Sequence, residues 1–269
     1  GTIRDLSTVV SDIDGVRLSA AGIAEIAAID PLELPIVPPG TRLGCPVAGI
    51  GKFIAIGLNF SDHAAESNLP VPAEPIVFMK ATTCIQGPND DVMTPKGSVK
   101  TDWEVELGIV IGTLARHVSE ADALAHVAGY VLINDVSERE YQIERGGTWD
   151  KGKGCDTFGP IGPWLVTSDE VGDPQALGMW LDVNGARKQT GTSATMIFDC
   201  ATIVSYVSRF MTLMPGDVIT TGTPPGVGMG KKPPEFLKAD DVIELGIEKL
   251  GTQRQRVVAF ESIYPGSAT

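Results

Sequence analysis

No stretch of the 269-residue chain approaches the roughly 20 consecutive apolar residues that a membrane-spanning helix needs. The longest apolar run, LGIVIGTLA at 107–115, is interrupted by Gly108 and Gly112. The opening GTIRDLSTVV has no cationic region followed by an apolar one, so no secretory leader is expected and a cytoplasmic protein is. Basic residues are also scarce: 21 Lys and Arg stand against 34 Asp and Glu, a net charge of −13. Binding a phosphate backbone needs clustered Lys and Arg, so nucleic acid is not expected as a partner. Cysteine is rarer still. Cys45, Cys84, Cys155 and Cys200 lie far apart, and no pair has metal-ligand or redox spacing. Free thiols in a reducing compartment are the expectation. There is no internal repeat. The glycine-rich GTPPGVGMG at 222–230 lacks the Gly-Lys-Ser/Thr ending of a phosphate loop.

What is present suits a globular enzyme-sized domain, with 43% hydrophobic and 20% charged residues. Five prolines fall within 31–46, a linker signature. Residues 1–48 therefore read as a small N-terminal α/β piece with a Pro-rich linker, and 49–269 as one large domain. The large domain is rich in short apolar runs punctuated by Gly and Pro, among them KFIAIGLNF, WEVELGIVIG, GYVLINDVS and DVIELGIEKLG. Asn184-Gly185 is a hairpin signal. Helical signals are fewer. SEADALAHVAG has Ser119 as N-cap and Gly129 as a stop, and 198–213 has apolar positions at helical spacing before Pro215-Gly216. The fold class expected is α+β, rich in β-structure.

The stretch TDWEVELGIVIG, 101–112, alternates as a strand does, yet its second face carries Asp102, Glu104 and Glu106. Strand geometry puts them on one side, neighbours roughly 6.5 Å apart. Two such carboxylates can converge on a hard divalent cation, and Asp135, at the end of the apolar run before VSERE, offers a third oxygen ligand. The competing readings are a solvated strand face for the glutamates and a helix cap for Asp135. Upstream, a helix capped at Ser61 or Asp62 would put His63 and Glu66 one turn apart, a base and its orienter; a cap with an incidental surface His is the alternative. His117 and His126 read as structural. Downstream, the glycine-rich loop at 145–163 carries Arg145, Lys151 and Lys153, which could approach an anion closely.

In their order, GLNFSDHAAE, PIVFMK, WEVELGIVIG, NDVSEREYQ, KGKGCDTFGPIGPW, LMPGDVITTGTPPGVG and DVIELGIEKLG resemble the fumarylacetoacetate hydrolase superfamily over about 50–260. The resemblance implies a mixed β-roll or sandwich like that family's C-terminal domain, commonly a homodimer or homotetramer. It implies Mg²⁺ or Mn²⁺ on Glu104, Glu106 and Asp135, water activation by His63 with Glu66, and catalytic charge stabilisation by Lys153. It implies substrate contacts by Arg139, Gln142, Thr223 and Lys80. Two stretches depart. Leu58-Asn59-Phe60 stands where many members have Arg-Asn-Tyr, which removes a cation that could hold a second substrate carboxylate. QTGTSATMIF at 189–198 also differs, so contacts around Thr192 and Ser193 are left open.

The activity implied is metal-dependent hydrolysis of the C3–C4 bond of a 2,4-diketo acid. The stretches look most like those of enzymes acting on 2,4-diketo-3-deoxy-L-rhamnonate or -L-fuconate, which yield pyruvate and L-lactate. Oxaloacetate decarboxylation, acylpyruvate cleavage and dienedioate isomerisation run on the same scaffold, so the fold alone leaves them open. A carboxylate-binding protein without turnover is a more distant alternative.

Overall fold

A computed structural model describes residues 2–62 and 71–263. Two sheets dominate it. The larger has six strands in the order Val166–Thr167 (β10), Val127–Asn134 (β7), Val105–Ile111 (β6), Val218–Thr220 (β13), Phe53–Gly57 (β1) and Ile76–Lys80 (β2). Only β1 and β13 run parallel; the other neighbours are antiparallel. The smaller sheet has the order Ala186–Thr192 (β12), Gly178–Val183 (β11), Val242–Ile247 (β14), Gly251–Val258 (β15) and Val92–Met93 (β4). Two short ribbons join Ile85–Gln86 (β3) to Gly159–Pro160 (β9), and Thr101–Asp102 (β5) to Ser137–Glu138 (β8). This is the β-rich α+β class expected.

Burial explains the patterning. Leu107, Ile109 and Ile111 of β6, with Tyr130 and Leu132 of β7, enter one core, where Leu181 of β11 and Leu245 of β14 meet them. Val110, Val131 and Ile133 point to the other face and pack with Phe53, Phe158 and Ile161. The central strands are buried on both faces, so they read as near-continuous apolar runs. The smaller sheet is covered on one face only, so Met179, Leu181 and Val183 alternate with more exposed positions. Each fully buried aliphatic side chain contributes roughly 1.5–3 kcal/mol, which fixes the register of both sheets.

Several local expectations are met. Asn184 and Gly185, at φ 53° and 73°, turn β11 into β12. Asp199 caps the helix Cys200–Ser208, whose Ile203, Val204 and Val207 are buried. Residues 2–48 hold the helix Ala20–Ala27, capped by Ser19, and send Leu18 and Val47 into the second core. Others need correction. The Ser119-capped helix is a single turn, Glu120–Ala123, and Gly129 lies inside β7 instead of ending a helix, because Tyr130–Ile133 pair with β6. The strand expected over 101–112 is two strands, broken at Trp103-Glu104, because Thr101–Asp102 leave β7 to pair with β8. Among the described residues no helix is long and apolar enough to cross a membrane, and all four cysteines are free.

Candidate active site

The break in that strand builds the site. It leaves Glu104 just before β6, at one end of the six-stranded sheet, and Glu106 as the second residue of β6. Asp135 follows directly on β7, which pairs with β6 through Val105 and Asn134. Asp135 is therefore carried to the same end of the sheet, and its backbone N–H donates to Glu104 O at 2.9 Å. It does not cap a helix. One carboxylate oxygen from each of Glu104, Glu106 and Asp135 lies within 4.8 Å of the others, and all three residues are buried.

Three buried carboxylates repel one another, and the surroundings show how this is managed. Lys153, on the short helix Asp150–Lys153, donates to Glu104 Oε2 and to Asp135 Oδ2, the latter at 2.6 Å. Burial alone would raise the Glu104 carboxyl, but Lys153 and Arg139 outweigh it and hold it at about 2. Burial lowers the Lys153 ammonium less than Asp135 and Glu104 raise it, so it stays charged. Among the described residues Glu106 makes no ion pair, and Lys153 offsets its surroundings only in part. Burial first, then the charges of Asp135 and Glu104, push its carboxyl well above the usual range. It accepts hydrogen bonds from Thr220 Oγ1 and from Gly222 N, the latter at 2.8 Å. Gly222 makes that amide available at φ 94°, where an added Cβ would come within 2.9 Å of Asn59 Cβ.

Asp135 Oδ1 lies 2.6 Å from Lys80 Nζ, yet it accepts no hydrogen bond of good geometry. A buried carboxylate oxygen left without a hydrogen bond calls for a partner. Three hard oxygen donors this close together, one of them without a hydrogen bond, suit a divalent cation. The group can hold a metal ion.

A second ring of contacts fixes these side chains. Arg139 spans Asp102 Oδ2 through Nε and Glu104 Oε1 through a terminal nitrogen, both at 2.7 Å, and its other terminal nitrogen donates to Gln142 at 3.0 Å. Asp102 is wholly buried and also accepts from the backbone N–H groups of Trp103, Gly228 and Met229. Thr223 donates its hydroxyl to Val105 O and accepts from Gln189 Nε2. Behind Glu104, Asn134 accepts from its backbone N–H and donates to Gln255, which in turn donates to Gln253. This buried amide ladder ties the two sheets together under the site.

The carboxylates floor a cavity of about 580 Å³. Of the residues singled out in the sequence, Glu104, Glu106, Asp135, Lys153, Arg139, Gln142 and Thr223 all line it. Lys80 does not: its buried side chain stands behind Asp135 and donates to Lys153 O, so it supports a carboxylate instead of facing the cavity. His63 and Glu66 lie outside the described residues. Of the three cations in the 145–163 loop, only Lys153 reaches the carboxylates. Arg145 pairs with Glu140, and Lys151 caps Arg145 O. Thr192 and Ser193 serve their own loop through Ala194 N and Leu177 N. Trp149, which packs edge-on against Phe78 at 5.3 Å, lines the cavity wall and was not anticipated. Neither were Gln189, the anchoring role of Asp102, nor Lys231 and Lys232, although the pair of lysines before Pro233-Pro234 is a visible charge signal.

Comparison with known proteins finds relatives that cover most of the chain. A protein of Burkholderia cenocepacia, named only as a hydrolase, is 63% identical over 257 residues, 95% of this chain and 91% of the relative. The solved fumarylacetoacetate hydrolase of psychrophilic Exiguobacterium antarcticum is 36% identical with a TM-score of 0.86, covering 96% of this chain and 92% of that one. The 2-hydroxyhepta-2,4-diene-1,7-dioate isomerase of Mycobacterium marinum is 36% identical with a TM-score of 0.71, covering 86% and 81%. The family model for the fumarylacetoacetate hydrolase C-terminal domain matches residues 52–258, and the chain belongs to that family.

Proposed function

We propose that the protein is a Mg²⁺- or Mn²⁺-dependent hydrolase that cleaves the C3–C4 bond of a 2,4-diketo acid. The observation that carries this reading is the convergence of Glu104, Glu106 and Asp135 on the floor of a cavity, with Lys153 against two of them. When bound there, a divalent cation supplies Lewis-acid polarisation of a 2-oxo carboxylate. The remaining chemistry falls to the chain. Arg139, Gln142 and Thr223 hold the polar groups of the substrate in the cavity. Lys153 Nζ offsets negative charge that develops on oxygen, as a fixed cation in a site shielded from water does effectively. His63, oriented by Glu66, takes a proton from water, whose oxygen adds to C4. The C3–C4 bond then breaks, its electron pair leaves as the enolate of pyruvate, and protonation at C3 completes the reaction.

The first substrate to test is 2,4-diketo-3-deoxy-L-rhamnonate or its L-fuconate counterpart, on the strength of the motif resemblance. The products are pyruvate and L-lactate. We place the reaction in the cytoplasm, where four unpaired cysteines are stable, in a homodimer or homotetramer. A panel of 2,4-diketo acids, oxaloacetate and a 2-hydroxy dienedioate, each with Mg²⁺ or Mn²⁺, tests the reading. Pyruvate with an equal amount of a second acid is the expected result. Pyruvate and CO₂ from oxaloacetate alone, or a shift of the dienedioate absorbance without cleavage, overturns it.

A further inference from the structure

Every cation at the inner end of the cavity is committed: Lys80 to Asp135, Lys153 to Glu104 and Asp135, Arg139 to Asp102 and Glu104. The mouth differs. Lys231, half-buried, and Lys232, exposed, line the same cavity. Among the described residues neither pairs with a carboxylate. The acid of their own loop, Glu235, is taken by Lys188 at 2.6 and 2.8 Å. In a chain of net charge −13, two unpaired ammonium groups at a cavity mouth run against the prevailing sign.

Their placement is built, not incidental. Gly228 N and Met229 N donate to the buried Asp102 at 2.7 and 3.0 Å. The loop then closes on itself, with Lys231 N and Glu235 N both donating to Gly228 O. A Cβ at residue 228 would lie 1.9 Å from Glu235 O, so only glycine permits the closure. Asp102 thus anchors the lysine loop and, through Arg139, the ligand Glu104.

We propose that Lys231 and Lys232 form an anion subsite at the cavity mouth that binds a second carboxylate, at the end of the substrate remote from its 2-oxo acid head. This rests on the reading of the inner carboxylates as the seat of that head, and it changes the expected tail. Leu58 leaves one wall of the cavity without a charge; the lysines supply cations from another. A dicarboxylate then gains a contact at the mouth that a sugar acid with a neutral tail does not make.

The test separates the subsite from the reaction by using 2-oxo acids that lack the 4-oxo group and cannot be cleaved hydrolytically. Linear 2-oxo dicarboxylates of five to seven carbons are compared calorimetrically with 2-oxo monocarboxylates of equal length, on the full chain with Mn²⁺. At one length or more, the dicarboxylate is expected to bind about tenfold more tightly, the scale of one or two charge-assisted contacts. The double variant K231A/K232A abolishes that ratio. Equal binding at every length, no binding of either series, or a ratio that survives in the double variant overturns the proposal. If the diketo acid panel is not cleaved while the ratio is seen and lost as described, the reaction is wrong and the subsite stands.

Discussion

Glu106→Gln should act with opposite signs in two states of the protein. Without a cation, Glu106 is a buried carboxyl beside Asp135 and Glu104, and it is pushed well above its ordinary value of 4.5. With oxygens within 4.8 Å of one another, each ionised pair repels by about 3.5 kcal/mol at an effective dielectric of about 20. Burial and these neighbouring charges favour the protonated form of Glu106. A carboxyl raised on folding gives stability that is fully present below the unfolded value and is lost as pH rises through the folded one. Glutamine does not titrate. Its carbonyl oxygen can still accept from Thr220 and Gly222, so the substitution removes the loss without removing those hydrogen bonds. Relative to the parent, the metal-free variant should gain about 1.4 kcal/mol per pH unit above 4.5, up to the folded value. That is about 3–6 °C in Tm per unit for a chain of this size. With a cation the sign reverses. At one hundred times its Kd, a metal should stabilise the parent by about 2.7 kcal/mol, or about 5–10 °C, and the variant by little. Thermal melts at pH 5, 6, 7 and 8, in chelator and in excess Mg²⁺ or Mn²⁺, read both effects. A variant less stable than the parent in chelator by the same amount at every pH, or one that keeps the full metal shift, refutes the reasoning.

The same ionisation governs metal uptake. Glu106 must lose its proton to become a ligand, so affinity should rise from pH 5 to pH 8 and binding should release a proton. Calorimetry in buffers of different ionisation enthalpy measures that release, and pH-independent affinity counts against it. Lys153→Met leaves Glu104 with Arg139 alone and Asp135 with Lys80 alone, so about 3 kcal/mol should be lost in chelator, and part of it should return with Mg²⁺; equal losses in both conditions would contradict the cluster's shared charge. His63→Ala should abolish pyruvate release from a 2,4-diketo acid while leaving the metal-induced Tm shift intact. Full activity in that variant removes His63 from the mechanism.

The chemistry at the sheet end was legible where it depended on local spacing. Glu104 and Glu106 are two apart on one strand face, and Asp135 ends an apolar run, so the residues that meet could be nominated from the chain alone. The runs WEVELGIVIG and GYVLINDVS, read as β-like, do form β6 and β7, but their burial on both faces was not read from the chain. Features set by distant partners were not legible. The break at Trp103-Glu104 arises because Thr101–Asp102 pair with Ser137–Glu138, and nothing within 101–112 marks it. Gly129 looked like a helix stop because the signal for one is short-range, while its place in β7 is fixed by pairing with β6 and β10. Lys80 looked like a substrate contact, but the side of β2 it occupies points behind Asp135. Lys231 and Lys232 sit almost a hundred positions from Asp135 and enter the cavity only because Asp102 holds their loop.

Charge balance connects these pieces. Around the floor, four buried carboxylates, Asp102, Glu104, Glu106 and Asp135, face three buried cations, Lys80, Arg139 and Lys153. Fully ionised, the group carries one negative charge in excess, which burial makes costly. A proton on Glu106 brings it to neutrality, and this is the direction in which that carboxyl is pushed. Exchanging the proton for a divalent cation leaves the floor with one positive charge, the complement of a single 2-oxo carboxylate. A second carboxylate on the substrate would find no charge left to meet at the floor. Its partner has to come from elsewhere in the cavity, and among the described residues lining it the cations without a carboxylate are Lys231 and Lys232.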